Sequence, residues 1–321
     1  MSSTQLEKVV LAKPRGFCAG VVRAIDIVEM ALKIWNKAPV YVRKEIIHNR
    51  HVVNELREKG AIFVDEISEV PEGSLLIFSA HGVSPQVRKD AAAKKLRVLD
   101  ATCPLVTKVH LEAIRYAKQG YTIVLIGHKD HDEVIGTLGE APESIRVVGT
   151  VQEVHELKVP DPDRVAYVTQ TTLSIDDTKA VVDALKVKFP KLVGPPKDDI
   201  CYATQNRQHS VKEIAEQVDL ILVLGAPNSS NSVRLQEVSQ AVGTRAYLIQ
   251  DAEDIRPEWF NGVKKVGITA GASAPEVLVE EVLDYCRQLG HPEVEELEAV
   301  KEDVKFSLPV ELERMASSVR S

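Results

Sequence analysis

With 321 residues, 44% hydrophobic and 27% charged, the chain is long enough to bury one large core or two or three modest ones. Its 47 acids against 40 Lys and Arg give a net charge of −7 with no long basic block, which leaves nucleic-acid binding without electrostatic support. No run approaches the ~18 apolar residues of a membrane span, and the first residues carry no apolar leader, so a cytoplasmic, membrane-free protein acting on small molecules is expected.

Short Val/Ile/Leu runs alternate with segments of helical period, which predicts an α/β fold with mainly parallel sheets. In chain order the pattern predicts a strand at Val9–Ala12, helices at Ala19–Ile34 and Asn49–Lys59, a strand at Leu75–Phe78 and a helix at Pro104–Lys118. Strands at Thr122–Ile126 and Arg164–Val168 and helices at Ile175–Lys188 and Ala203–Gln217 follow. Strands at Leu220–Leu224, Arg245–Ile249 and Lys265–Ile268 and a helix at Pro275–Leu289 complete the series.

Five of these strands run into small, polar loops: "SAHGVSP", "GHKDHDEVIGT", "TQTTLS", "GAPNSSNS" and "TAGASAP". Ligands of parallel sheets bind beyond the carboxyl ends of strands, where helix N-termini point their free N–H groups, so the loops predict one convergent site. Ser84 before Pro85, Cys103 before Pro104, and Ser174 three residues ahead of Asp177 are helix-start signals, and taken singly such residues are as well explained as caps.

Cys103 follows Cys18 by 85 residues and Cys201 follows Cys103 by 98. These near-even intervals predict three similar α/β units around a common centre, each supplying one cysteine. The units are expected at 19–102, 103–200 and 201–292, the last completed by an N-terminal strand within 1–18, with 293–321 an acidic tail packing on the surface.

Cys286 falls on an apolar position of a helix and reads as a packed thiol. Cys18 lies between Gly16 and Gly20, Cys103 precedes a proline at a helix start, and Cys201 opens a helix, a setting that favours the thiolate. A cysteine phosphatase loop fits poorly, because Arg23 follows Cys18 after four residues rather than five. Structural zinc and most iron–sulfur clusters take four ligands, so three separated cysteines suggest either a cluster with one iron open to substrate or three unrelated core thiols. His48, His81 and His131, with Glu133 two residues after the last, are polar groups that could reach a pocket if they stand in loops. A non-catalytic iron–sulfur sensor would account for the cysteines but not for these loops, and a metal-free enzyme acting on a phosphorylated substrate is a third reading.

The segments "KPRGFCAGVVRAI", "EIIHNRHVV", "IFSAHGVSP", "DATCPLVTKVH", "YVTQTTLS", "ICYATQNRQ", "NSSNSVRL", "TAGASAPE" and "FSLP" resemble, in order and over nearly the whole chain, the IspH/LytB family of 4-hydroxy-3-methylbut-2-enyl diphosphate reductases. The resemblance implies a reductase that removes the substrate's allylic hydroxyl with two electrons and protons. It implies one 4Fe-4S cluster on Cys18, Cys103 and Cys201 with one open iron, in the middle of a pseudo-threefold trefoil of the three α/β units. By the same resemblance His48, His81, His131, Ser229, Ser230, Asn231 and Ser273 hold the diphosphate, while Glu133, with Gln170, Thr171 and Thr172, handles protons. A ferredoxin- or flavodoxin-type electron donor and a monomeric or homodimeric state are expected. The chain departs from the family pattern at "HKDHDEVIG", at Lys44, where a histidine is frequent, and at Ala226 and Pro227; none of these departures removes a residue given a role.

Overall fold

The computed structural model describes residues 6–35 and 38–319. Residues 1–5, the head of the segment expected to complete the third unit, and 320–321, the end of the expected tail, lie outside the described residues.

In chain order the elements are β1 (Lys8–Lys13), α1 (Ala19–Ile34), β2 (Val40–Arg43), α2 (Arg50–Glu58), β3 (Ala61–Val64), β4 (Leu75–Phe78), α3 (Pro85–Ala93), β5 (Arg97–Asp100), α4 (Pro104–Lys118), β6 (Thr122–Ile126), α5 (Asp132–Glu140), β7 (Ile145–Val148) and α6 (Val151–Glu156). They continue through β8 (Val165–Thr169), α7 (Ile175–Lys188), α8 (Tyr202–Ala215), β9 (Leu220–Leu224), α9 (Ser230–Ala241), β10 (Arg245–Ile249), β11 (Lys265–Ala270), α10 (Glu276–Gln288), β12 (Glu293–Glu298) and α11 (Val310–Val319). Among the described residues these strands form three sheets, and every pairing is parallel, an α/β fold as expected.

One compact unit comprises Met1–Cys18, His48–Arg50 and Tyr202–Val304. Its sheet has the order β10-β9-β11-β1-β12. The central run Leu-Ile-Leu-Val-Leu of β9 is buried on both faces, as a helix-covered parallel strand must be. Leu220, Leu222 and Leu224 pack with Leu278, Val279 and Val282 of α10, while Ile221 and Val223 meet Val211 and Ile214 of α8 and Leu235 of α9.

The segment expected as an acidic tail opens with a strand. Glu293–Glu298 is an edge strand in register with all of β1. Its acids answer cations on and just beyond β1: Lys13 with Glu296 at 3.0 Å, Arg15 with Glu296 at 2.8 Å, and Lys8 with Glu295. An edge strand needs only one paired side, so charged residues survive in it.

The other unit comprises Ala19–Ile47, His51–Cys201 and Lys305–Ser321. It holds a four-stranded sheet, β3-β2-β4-β5, and a three-stranded one, β7-β6-β8. Alternation along β6 places Ile123 and Leu125 against Val109, Ala113 and Tyr116 of α4, and Val124 and Ile126 against Val181 and Leu185 of α7. In the first sheet Leu76 and Phe78 meet Val64, Val83 and Ala91. Parallel pairing brings the carboxyl ends of β4 and β5 to one edge and those of β6 and β8 to another, and there the polar loops begin.

Candidate active site

Within the larger unit, the loops after β4, β6 and β8 hold several expected residues. His131 caps α5: its Nδ1 accepts the N–H of Glu133 at 3.2 Å. While that bond is made the neutral imidazole carries its proton on Nε2. The His81 and His131 rings meet edge-on, 5.9 Å between centroids, and Ser79 Oγ lies 3.3 Å from His81 Nδ1. Glu133 is not in a loop; it sits in the first turn of α5, because His131 rather than a later residue ends the loop.

The Glu133 side chain is buried, 3% exposed, and both of its oxygens are held by one residue. Oε1 accepts the Thr171 N–H at 2.7 Å and Oε2 the Thr171 hydroxyl at 3.0 Å. Burial pushes the carboxyl up to about 7, against the downward pull of the two Thr171 bonds and with a further upward push from the Asp199 charge. A carboxyl poised near neutrality and fixed in orientation can deliver or take a proton. Gln170 Oε1 accepts the His128 N–H at 3.1 Å, and Gln170 Nε2 donates to Thr172 Oγ1 at 3.1 Å, so Gln170, Thr171 and Thr172 form one braced strand end.

Neither His128 nor Asp199 was among the residues singled out from sequence. Asp199 is buried; its Oδ2 accepts the Thr169 N–H at 2.9 Å, while Oδ1 takes Lys108 Nζ at 2.8 Å. Lys108 also donates to the carbonyls of Lys197 and Asp198, at 2.7 and 3.1 Å, and so fastens the segment that leads into Cys201. Glu112, on the same helix as Lys108, is pushed up to about 7 by burial and by its hydrogen bond with Asp199. The doublet "DD" before "IC" was the available signal for Asp199, but a sequence does not reveal which acid turns inward.

The three turn cysteines share one backbone arrangement, an N–H donated to a loop carbonyl of the cysteine's own unit. The N–H of Cys103 donates to Ala80 O at 3.0 Å and that of Cys201 to Thr171 O at 3.0 Å, both in the larger unit; in the smaller, Cys18 donates to Ala272 O at 3.3 Å. Each cysteine is thus tied to the polar loop of a neighbouring strand: "SAHG", "TQTT" or "TAGA". Each directly precedes a helix, α4, α8 or α1, and each is partly exposed, while Cys286 is buried. None of the four is in a disulfide. Half-exposed thiols at helix starts are a soft donor set, suited to iron. Arg23 adds a brace beside Cys103, donating to Thr102 O at 3.1 Å and to Ser307 O at 2.9 Å.

In the smaller unit the "NSSN" and "GAS" loops interlock. Asn231 Oδ1 accepts the Ala272 N–H at 2.8 Å, the residue whose carbonyl receives Cys18, and its Nδ2 donates to Thr204 Oγ1 at 3.2 Å. Ser229 caps α9 through the Ser232 N–H at 3.4 Å and lies 3.4 Å from Ser273 Oγ, which donates to His48 O at 3.1 Å. Ser230 opens α9, and Asn228 Nδ2 lies 3.4 Å from His48 Nδ1. His48, Ser229, Asn231 and Ser273 are therefore gathered at one end of this sheet.

The helix start is pressed hard against the sheet. A Cβ at Gly225 or Gly271 would lie 2.0 Å from Ser232 Oγ. Gly271→Ala is expected to push α9 outward and to lower stability by about 1–3 kcal/mol. Thermal unfolding checks this, and an unchanged midpoint would mean that α9 yields without cost.

The description "LytB protein" belongs to the sequence family whose model matches residues 9–287. A 4-hydroxy-3-methylbut-2-enyl diphosphate reductase of Streptomyces avermitilis is 55% identical over 98% of this chain and 93% of its own length. The enzyme of the same name in Aromatoleum aromaticum is 57% identical, over 96% and 98%. The chain belongs to the LytB family. Among solved structures, the E-1-hydroxy-2-methyl-but-2-enyl-4-diphosphate reductase of Plasmodium falciparum superposes on this LytB chain with a TM-score of 0.95 at 40% identity, covering 99% of it and 100% of that chain.

Proposed function

We propose that this LytB chain reduces 4-hydroxy-3-methylbut-2-enyl diphosphate, the terminal step of the non-mevalonate route to isoprenoids. The allylic C–O bond breaks, two electrons and two protons enter, and water leaves with isopentenyl or dimethylallyl diphosphate as product. The observation that carries the chemistry is Glu133: a buried carboxyl with both oxygens on Thr171 and a proton affinity raised to about 7.

Cys18, Cys103 and Cys201 fit an iron–sulfur group by their chemistry, being partly exposed thiols that each start a helix and are each tied to a polar loop. We assign them as ligands of one 4Fe-4S cluster with one open iron, Cys18 standing just ahead of the α/β segment 19–102 and Cys103 and Cys201 opening the segments 103–200 and 201–292. Bound there, the cluster supplies the electrons and a Lewis acid for the hydroxyl oxygen.

The protein's own groups supply the rest. Glu133 gives its proton to the departing oxygen, which leaves as water rather than hydroxide. Thr171 holds that carboxyl in one orientation, and Gln170 and Thr172 keep the Thr171 segment in place. His131 offers its Nε2–H to the anionic substrate, with His81 beside it. His48, Ser229, Ser230, Asn231 and Ser273 are the further diphosphate-binding groups, polar residues of which three lie at the start of α9, where the helix dipole favours an anion. A ferredoxin- or flavodoxin-type carrier delivers the electrons, and the chain works as a monomer or homodimer in the cytoplasm. Among the described residues no helix is long and apolar enough to cross a membrane.

The test is anaerobic turnover of the allylic diphosphate with an artificial reductant, the two isoprenoid diphosphates being read by mass spectrometry; no product from cluster-loaded protein overturns the reading. Thr171→Val removes the hydroxyl bond to Glu133 but keeps the backbone one. Because that bond favours the carboxylate, its loss raises the Glu133 proton affinity further, so the alkaline limb of the rate moves to higher pH. Turnover is expected to fall about tenfold through lost orientation. A pH–rate profile checks both effects.

A further inference from the structure

Arg207 is the largest fully buried side chain among the described residues, with no exposed surface, and no catalytic step uses it. Its guanidinium is spent on the backbone. Nε and Nη2 donate to Gly16 O at 3.0 and 2.6 Å, and Nη1 to Ala203 O at 2.9 Å. The carboxylate of Glu302 faces it, with Nη1 and Nη2 at 3.2–3.3 Å. Asn206 Nδ2 donates to the same carboxylate at 3.0 Å.

Gly16 stands two residues before Cys18, in a turn fixed at both ends: the Gly16 N–H donates to Ala270 O at 3.0 Å and the Cys18 N–H to Ala272 O. Gly16 has φ +66°, and a Cβ there would lie 3.1 Å from Ala274 O. Between these two anchors the carbonyl of Gly16 is held as well, taken twice by a buried cation. The same cation grips the first turn of α8, the helix that starts one residue after Cys201. Glu302 reaches this place because β12 runs beside β1 and leaves the sheet with the Ala299 N–H on Lys13 O at 2.9 Å. A buried guanidinium without its carboxylate would be an uncompensated charge.

We infer that Arg207, held by Glu302, is a positioning residue that sets the Cys18 turn for ligation, so that the acidic tail takes part in holding the cluster. This rests on the reading of Cys18 as a ligand. Partners that orient a metal ligand typically change metal retention by 10–100-fold when removed.

The test uses full-length protein, anaerobically loaded, in four forms: wild type, Glu302→Gln, Arg207→Lys and Cys18→Ala. Two quantities are read: the rate of iron release to a chelator, and the rate of alkylation of Cys18 in metal-free protein, mapped by mass spectrometry with Cys286 as an internal reference. Glu302→Gln and Arg207→Lys should release iron about tenfold faster or more, and expose Cys18 to faster alkylation while Cys286 stays protected. If Arg207→Lys also exposes Cys286, its fold is lost and Glu302→Gln decides. Wild-type iron release and wild-type Cys18 alkylation in Glu302→Gln overturn the proposal. Wild-type iron retention in Cys18→Ala overturns the ligand assignment and the proposal with it, whereas rapid iron loss there beside wild-type behaviour of the other two variants overturns the proposal alone.

Discussion

Glu133→Gln is expected to fold and to keep its iron while turnover falls by about 10²–10⁴-fold, the range for removal of a general acid. The amide can keep the geometry, its oxygen accepting the Thr171 N–H and its NH₂ meeting the hydroxyl, so only the transferable proton is lost. The wild-type rate should itself fall as pH rises through about 7, where Glu133 ionises. Stability supplies an independent check. From the ordinary value of 4.5 up to about 7, the folded state binds a proton at Glu133 that the unfolded chain has released. Stability from this group is therefore full at low pH, declines across that window and levels off above it. Glutamine has no such window. Glu112, raised similarly, contributes the same slope to both proteins and cancels in their difference. The variant should therefore gain stability relative to wild type between pH 5 and pH 8, read as a widening gap in thermal midpoints. Wild-type turnover in the variant would remove Glu133 from the mechanism, and a gap that does not change with pH would mean that the carboxyl is not held protonated.

The parts of the fold legible in the sequence are those where one signal dominates. The periods of α1, α4 and α7 gave their full extents, because buried positions such as Val21, Ala24, Val28 and Ala31 recur on one helical face. Continuous apolar runs marked β4, β6 and β9. Strands β2, β3, β5 and β7 were missed because each has four residues, too short for a period to emerge, and β2, β5 and β7 also carry charged side chains among their apolar ones, as in Arg-Val-Leu-Asp of β5. Strand β12 was hidden by its acids. The starts of α3 and α7 could be read from their caps, since Ser84 and Ser174 accept the N–H groups of Val87 and Asp177. For the site, the loops and cysteines stood out through local context, whereas Asp199 under Thr169 and Glu302 against Arg207 are pairs joined across 30 and 95 residues, beyond the reach of any local pattern.

Replacing a turn cysteine should have the largest effect on the cofactor, and the fourth cysteine provides the control. Cys286 lies in the core formed around α10, with no exposed surface, and burial pushes its thiol up to about 12, so it stays protonated and cannot ligate a metal. Cys286→Ser places a hydroxyl there at a cost of about 1–3 kcal/mol, yet it should keep full iron and turnover. Cys103→Ser and Cys201→Ser pose the opposite case. Their backbones are held by Ala80 O and Thr171 O whatever the side chain is, and their half-exposed positions tolerate a hydroxyl, so the fold should persist. What disappears is a soft thiolate donor, which a hard hydroxyl that stays protonated at neutral pH does not replace. Iron and sulfide per chain after anaerobic purification, with visible absorption, should therefore fall sharply in both variants, and turnover should drop below detection. Because Cys201 receives its anchor from the residue that holds Glu133, a variant keeping full iron but losing turnover would place Cys201 in proton delivery instead of ligation. Full iron in both variants would return these thiols to the ordinary role that Cys286 has.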